Sequence, residues 1–305
     1  TAVGKTELSI KIAKAIDGEI ISADSIQVYK HMDIGSAKIT KEEMQGIKHY
    51  LVDEFEPDEE FNVHVFKEKT LEYMDKIYEA GKIPIIVGGT GFYIQSVLYD
   101  IQFNDEEIDS AYRKELENIA KEKGNDYLHN MLKEVDEESA LNIHKNNLKR
   151  VIRALEFYKN TGEKISTHNE EQSQNISPYN FVYFVLNDKR ELLYERINKR
   201  VDIMFDKGLV NEVKNLLNMG YTKDLVSMNG IGYKEVVDYI NGKYSLDETK
   251  EIIKRETRHF AKRQLTWFRR EKDVTMVNYF DYDSIDDTLK YMINTLREKD
   301  IIKND

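Results

Sequence analysis

An α/β fold, with a parallel sheet core interrupted by an all-helical insertion, is what this sequence predicts. Three observations carry that expectation. Short apolar runs ending in Asp or Gly-Gly-Thr alternate with amphipathic stretches of helical period toward both ends of the chain. The stretch 105–176 is charged and helical in period and contains no convincing strand. With only 3 Pro and 15 Gly in 305 residues, the chain has too few breakers for a sandwich of short strands and tight turns.

The elements follow in order. Gly4-Lys5-Thr6 feeds a helix in which Leu8, Ile12, Ala15 and Ile16 recur at helical spacing. Gly18 to Asp24 reads as a buried strand ending in a carboxylate, followed by a polar segment from Ser25 to Lys38. Tyr50-Leu51-Val52 is a candidate strand, and Val63 to Ala80 a long helix closed by Gly81. Ile83 to Val87 is a buried strand ending at Gly88-Gly89-Thr90. Within the insertion, helices are expected over Ala111 to Glu122, Tyr127 to Glu134 and Leu148 to Asn160. The sheet core resumes with the strand Phe181 to Leu186 and the helices Arg190 to Phe205, Val210 to Met219, Tyr233 to Ile240 and Leu246 to Arg270. Lys299 to Asp305 reads as a frayed charged tail. The expected division is therefore core over 1–104, helical insertion over 105–176, and core with a basic C-terminal helix over 177–305.

Composition narrows the function classes. At 40% hydrophobic and 33% charged residues the chain can bury a core, which excludes a disordered segment. The absence of Cys excludes disulfides, zinc ribbons, iron–sulfur clusters and a thiol nucleophile, and suits a reducing, cytoplasmic setting. A mean hydropathy of -0.62 and the lack of a long apolar run or a secretory-type N-terminus argue for a soluble protein away from membranes. The seven histidines show neither H-E-x-x-H nor another ligand spacing, which argues against a metalloprotease or a structural metal site. A net charge of -11 argues against indiscriminate nucleic-acid binding but leaves room for a locally basic surface.

Gly4-Lys5-Thr6 is the second half of a phosphate-binding P-loop, G-x-x-x-x-G-K-[ST]. In such a loop backbone N–H groups and a helix N-terminus surround a phosphate, the Lys adds a compact positive charge, and the Thr hydroxyl can ligate Mg²⁺. Together with the strand and helix pattern this makes the expected core P-loop kinase-like. Gly-Lys-Thr capping a helix by chance is the plain alternative. In an open α/β sheet ligands bind beyond the carboxyl ends of the strands, where Asp24 and Thr90 both fall. Asp24 can support Mg²⁺, accept a proton or simply stabilise a loop; Thr90 can hold an anion or cap a helix. Arg190, Arg196 and Arg200 lie on one helix after a strand, either as cations for a leaving group or as a solvated face.

A second basic feature runs from Lys254 to Lys272. It holds Arg255, Arg258, His259, Lys262, Arg263, Arg269 and Arg270, with Gln264, Trp267 and Phe268 interleaved. Phosphate-backbone docking and base stacking need this combination, whereas an amphipathic core helix with solvated charges would also present it. Lys149, Arg150 and Arg153 raise the same choice on the insertion.

Several motifs in order make the chain resemble the tRNA dimethylallyltransferase family. Thr1 to Thr6 resembles that family's phosphate loop, Ile21 to Ser25 with Tyr29-Lys30 and Met32 to Lys38 its second motif, and Val87 to Tyr93 its third. Arg153 to Glu156, Gly230 to Glu235 and Thr257 through Trp267 match later motifs in the right order, so the resemblance covers nearly the whole chain. It departs from the pattern at the start of the phosphate loop, whose first Gly does not appear in the sequence.

The resemblance implies transfer of a dimethylallyl group from dimethylallyl diphosphate to N6 of adenosine 37, beside the anticodon of tRNA. It implies a diphosphate bound by Thr1, Ala2, Val3, Gly4, Lys5 and Thr6 in place of ATP, with Mg²⁺ on Thr6. Asp24 is then the general base, and Thr90 and Arg200 stabilise the departing diphosphate. The tRNA anticodon stem-loop is expected along Asp24, Ser25, Ile26, Gln27, Thr90, Arg113, Lys149, Arg150, Val151, Ile152, Arg153, Gly230, Ile231, Gly232, Tyr233, Lys234 and Glu235, with Lys262 and Arg263 added from the basic helix. The working form is taken as a monomer. A small-molecule or nucleotide kinase would use the same phosphate loop, Asp24 and arginines, but has no use for the basic Trp-bearing helix. A nucleotide-gated RNA-binding protein without chemistry would not need Asp24 beside that loop.

Overall fold

The computed structural model describes residues 2–103 and 110–303, and the chain divides into two compact units, Thr1–Leu98 with Tyr179–Asp305, and Tyr99–Pro178. The expected first boundary, at 104/105, lies outside the described residues, as does Thr1.

In the larger unit α1 (Lys5–Ala15) starts at the phosphate loop, where Gly4 has φ 87°, a left-handed conformation that glycine takes at little cost. Leu8 and Ile12 are buried, as their spacing predicts, against Val277, Met292 and Leu296, whereas Ala15 is exposed. Ile10 and Ala13 form a second buried flank against Ile20, so α1 is clasped on two sides rather than along one stripe. β1 (Gly18–Ala23) is buried along its whole length. It is followed by α2 (Lys41–Met44), closed by a Thr40/Glu43 capping box, then β2 (His49–Tyr50), α3 (Val63–Glu79), β3 (Ile83–Gly88) and α4 (Gly91–Leu98). β1 runs parallel to β2 on one side and to β3 on the other. The candidate strand Tyr50 to Val52 is cut short because Leu51 turns to φ 58°. β3 is half-buried rather than buried.

The smaller unit is all helical: α5 (Ser110–Lys123), α6 (Asn125–Val135), α7 (Glu137–Asn142), α8 (Leu148–Thr161) and α9 (Ile165–Ser173). Leu116, Leu128, Leu132, Val151 and Leu155 form its core, and each fully buried Leu contributes about 1.5–3 kcal/mol. The short helices α7 and α9 escape sequence reading because neither presents an apolar stripe; α9 buries no residue at all. Both depend on the buried carboxylate of Asp136. It accepts from Ser139 N (3.0 Å) and Oγ (2.7 Å), and from Ser166 N (3.0 Å) and Oγ (2.7 Å). Burial works to raise the Asp136 pKa, but these four bonds outweigh it and lower the value.

The chain then returns to the larger unit with β4 (Tyr183–Asn187), α10 (Arg190–Asp206), α11 (Leu209–Asn218), α12 (Tyr233–Ile240), α13 (Leu246–Phe268), β5 (Val274–Asn278) and α14 (Ile285–Glu298). β4 begins later than the expected Phe181 and pairs in parallel with β5, a strand the sequence reading did not anticipate. α14 was equally unforeseen. The tail after it is not simply frayed: Ile301 N bonds to Leu296 O, and Ile301 and Ile302 pack on the cluster of Leu8, Val277 and Met292. A cavity of about 480 Å³ lies among side chains of β3, β4 and α1, including Ile85, Val87, Phe184 and Leu186, and reaches Lys5. Among the described residues no helix is long and apolar enough to cross a membrane.

Candidate active site

The carboxyl end of β1 organises the site. Ala23 O accepts from Thr90 N (3.2 Å), which sets Thr90, the residue before α4, beside Asp24. Asp24 Oδ1 accepts from Ile26 N (2.9 Å) and Gln27 N (3.2 Å), a turn that holds the carboxylate at the strand end. The loop-stabilising role that the sequence left open for Asp24 is thus real, and it occupies one carboxylate oxygen.

Lys5 shares this region. Burial pushes its ammonium pKa down, the Asp24 carboxylate pushes it back up, and the Arg200 guanidinium lowers it further. One cation is therefore flanked by the anion expected as base and by a second cation, an arrangement that favours an added anion. Arg200 keeps solvent access, yet enough protein surrounds it that desolvation lowers its pKa, partly offset by Glu43. Arg196 instead ion-pairs with the buried Asp188 at 2.7 Å, whereas the Arg200 guanidinium is the one that acts on Lys5. Ala2 and Val3 are buried, while Gly4 and Thr6 are exposed. Tyr279 closes one side: its buried hydroxyl has no hydrogen-bond partner among the described residues, lies 3.3 Å from where a Gly4 Cβ would stand, and has its pKa pushed up to about 12 by burial.

Two segments expected along the RNA path meet here. Gly230 lies against Ile26, whose Cδ1 would be 3.3 Å from a Cβ at that position, and the Tyr233 ring covers Gly35, where any Cβ would come within 2.6 Å of it. Glu212, which sequence reasoning missed, ties them together. Its carboxylate accepts from Asp33 N (3.0 Å), Ile34 N (2.7 Å), Gly35 N (3.0 Å) and the Tyr233 hydroxyl (2.9 Å). No motif spacing marks Glu212; only its place on α11 brings it to the loop. Tyr233 and Glu235 are buried, so their side chains build the turn: Glu235 accepts from Gly232 N at 2.8 Å, and burial raises its pKa.

The basic stretch of α13 splits into two kinds of cation. Lys254 pairs with Asp202 (2.9 Å), and Arg258 donates to Asn198 (2.6 Å), so these face α10. His259, Lys262, Arg263 and Arg270 instead line, with Trp267, an open concavity of about 630 Å³. Gln264 Nε2 donates to Gly89 O (2.7 Å) and Trp267 packs on Gly91, which fixes α13 against the Gly88 to Gly91 turn. Leu265, Trp267 and Phe268 are only half-buried, so this is not an ordinary core helix.

In the helical unit Lys149, Arg150 and Arg153 are exposed on α8. Val151 and Ile152, expected beside them on RNA, have their side chains in the helical core, on the same helix face as Leu155. Arg113 is held in a two-pronged pair by the buried Glu156, at 2.8 and 2.7 Å, which fixes its direction and occupies two of its nitrogens.

The model of the IPP transferase family matches residues 27–271. The chain belongs to the IPP transferase family. Within that family it is 60% identical over 303 residues to the tRNA dimethylallyltransferase of Lachnoclostridium phytofermentans, covering 99% of this chain and 97% of the relative. It is 55% identical to that of Acetivibrio thermocellus over 97% of this chain and 95% of the relative. The solved full-length tRNA isopentenylpyrophosphate transferase from Bacillus halodurans superposes with a TM-score of 0.73 at 43% identity, covering 98% and 95% of the two chains. A eukaryotic dimethylallyltransferase acting on tRNA superposes with a TM-score of 0.82 at 29% identity, covering 98% of this chain and 78% of the other. The family's fold is thus the α/β, P-loop-like architecture that the sequence predicts.

Proposed function

We propose that this IPP transferase moves a dimethylallyl group from dimethylallyl diphosphate to N6 of adenosine 37 in tRNA. The observation that carries the reading is the meeting of Lys5, Asp24, Thr90 and Arg200 at the end of β1. It is supported by the relatives, which act on tRNA by name, at up to 60% identity over nearly the full chain.

The adenine N6 attacks the first carbon of the prenyl group as the carbon–oxygen bond to diphosphate breaks. Asp24 receives the N6 proton, which becomes acidic only as the new bond forms, so an ordinary carboxylate suffices. Charge grows on the diphosphate meanwhile, where Lys5 and Arg200 supply fixed positive charge and Thr90 a hydroxyl. The target base leaves the anticodon-loop stack to reach these groups. The chain fits Mg²⁺ as a diphosphate-borne ion: Thr6 is exposed at the start of α1, and among the described residues no group of three or more His, Asp or Glu forms a protein cage. When bound, Mg²⁺ would neutralise charge on the leaving diphosphate. One chain supplies all four groups, which suits a monomer, and the Cys-free composition suits the cytoplasm.

The test is to incubate the protein with unmodified tRNA, Mg²⁺ and either dimethylallyl diphosphate or ATP, then digest the RNA. Prenylated adenosine is expected with the prenyl donor alone. Phosphate transfer from ATP with no prenylated base would replace this reading with that of a kinase.

A further inference from the structure

The segment following β1 is held from outside by the stretch 53–56, through bonds such as Lys30 N to Phe55 O, and by α11. Gln27, which follows Asp24 in the same turn, donates through Nε2 to Ser36 O (3.2 Å) and Ala37 O (3.3 Å), so the placement of its side-chain amide depends on residues 33–37. Lys38 secures one end of that stretch, donating to Tyr29 O (2.6 Å), to Asp33 (2.7 Å) and to Asp53. The consecutive N–H groups of Asp33, Ile34 and Gly35 form a small anion-binding concavity, and its occupant is the Glu212 carboxylate from α11. The fourth bond to that carboxylate comes from Tyr233, in the turn that touches Ile26.

We propose that Glu212 is a positioning residue for tRNA: by holding residues 33–35 and Tyr233 on one carboxylate, it fixes Gln27 and the 230–235 turn in the relative geometry that reads the RNA. The physical basis is preorganisation. A charged acceptor with several good donors is worth more than a neutral one, and it orders both segments before RNA arrives. A glutamine would turn an NH₂ toward backbone N–H groups that need an acceptor, so the isosteric change suffices to break the clamp. Gly35 is the second component, since a Cβ there would drive the Tyr233 ring away.

This inference rests on the tRNA reading above, and its test separates the two. Amide hydrogen exchange is measured on the free wild-type protein, Glu212→Gln and Gly35→Ala. In both variants Asp33, Ile34 and Gly35 should exchange at least about tenfold faster, the scale of one charge-assisted bond lost, while Ile20 to Ala23 of β1 keep their protection. In single-turnover prenylation the same variants should raise the tRNA concentration for half-maximal rate about tenfold and leave that for dimethylallyl diphosphate unchanged. Unchanged exchange at 33–35 in Glu212→Gln overturns the clamp. Faster exchange with unaltered tRNA dependence overturns its positioning role, as does an equal loss toward both substrates. A wild-type protein that does not prenylate tRNA would overturn the activity reading, and the exchange data would still decide whether Glu212 holds the loop.

Discussion

The segment from Asp24 to Lys38 spends its polar groups on its own backbone and neighbouring carboxylates, whereas α13 and the two residues after it leave Lys262, Arg263, Arg269 and Arg270 in solvent. The two regions flank the paired ends of β1 and β3, where Ala23 lies opposite Gly88, since α13 is fixed to Gly89 through Gln264. Their difference separates two requirements of the proposed reaction. Proton transfer needs a carboxylate placed to within tenths of an ångström, so its loop is held by many short-range bonds. Attraction of a phosphate backbone needs only positive charge within a Debye length, so mobile cations do as well as fixed ones.

The sharpest way to break the ordered side is at Lys5. Lys5→Ala should lower turnover by about 10²–10³-fold, the usual loss when one preorganised charge-stabilising group is removed, and weaken donor binding, with little change in tRNA affinity. The lysine's lowered pKa adds a pH signature. Its charged form binds the diphosphate, so donor affinity should fall as pH rises through the free protein's Lys5 pKa, which burial places below the usual 10.5. Lys5→Arg should remove that alkaline fall. A donor titration against pH checks both, and an unaltered profile in Lys5→Arg would detach the lysine from the diphosphate.

Asp24→Asn comes next in size. Asn can still accept from Ile26 N and Gln27 N, so the turn should survive, yet it cannot take the N6 proton. Single-turnover prenylation should fall by roughly 10²-fold, the usual contribution of a positioned base, while filter-binding shows near-normal tRNA affinity. Recovery of the rate with added Mg²⁺ would make Asp24 a metal support instead of a base.

The smallest effect belongs to α13. Neutralising Lys262 and Arg263 together should weaken tRNA binding evenly across sequences and reduce the slope of log affinity against log salt by about 1 to 2, one contact per cation. Donor affinity should stay the same. A slope equal to that of the wild type would return this stretch to a solvated face, and the contrast between the regions would lose one of its sides.

Legibility of the site followed how local each requirement is. The phosphate loop could be read because a helix start with Gly4-Lys5-Thr6 is defined by neighbours in sequence, and Asp24 and Thr90 could be read because strand ends in α/β sheets are where ligands bind. From spacing alone Arg200 was one of three arginines, and only the family resemblance picked it out; in the structure Arg196 is engaged by Asp188, a partner no spacing rule would name. Val151 and Ile152 were misplaced because they sit inside a basic run whose helix turns them to the core. Glu212 left no trace, since its four donors come from positions far away in the chain.

By itself the sequence determined the elements whose periodicity is strong, the alternation that makes a parallel sheet, and the residues whose chemistry is set by adjacent positions. Helix and strand patterns are written every few residues, so they survive reading in one dimension. Only the tertiary structure decided which carboxylates hold the chain together and which stands beside the cations of the proposed site. Asp136, Glu156 and Glu212 bind their own protein, while one oxygen of Asp24 is left beside Lys5. The reason is that a carboxylate's role depends on the donors that surround it, and folding brings those donors from distant segments.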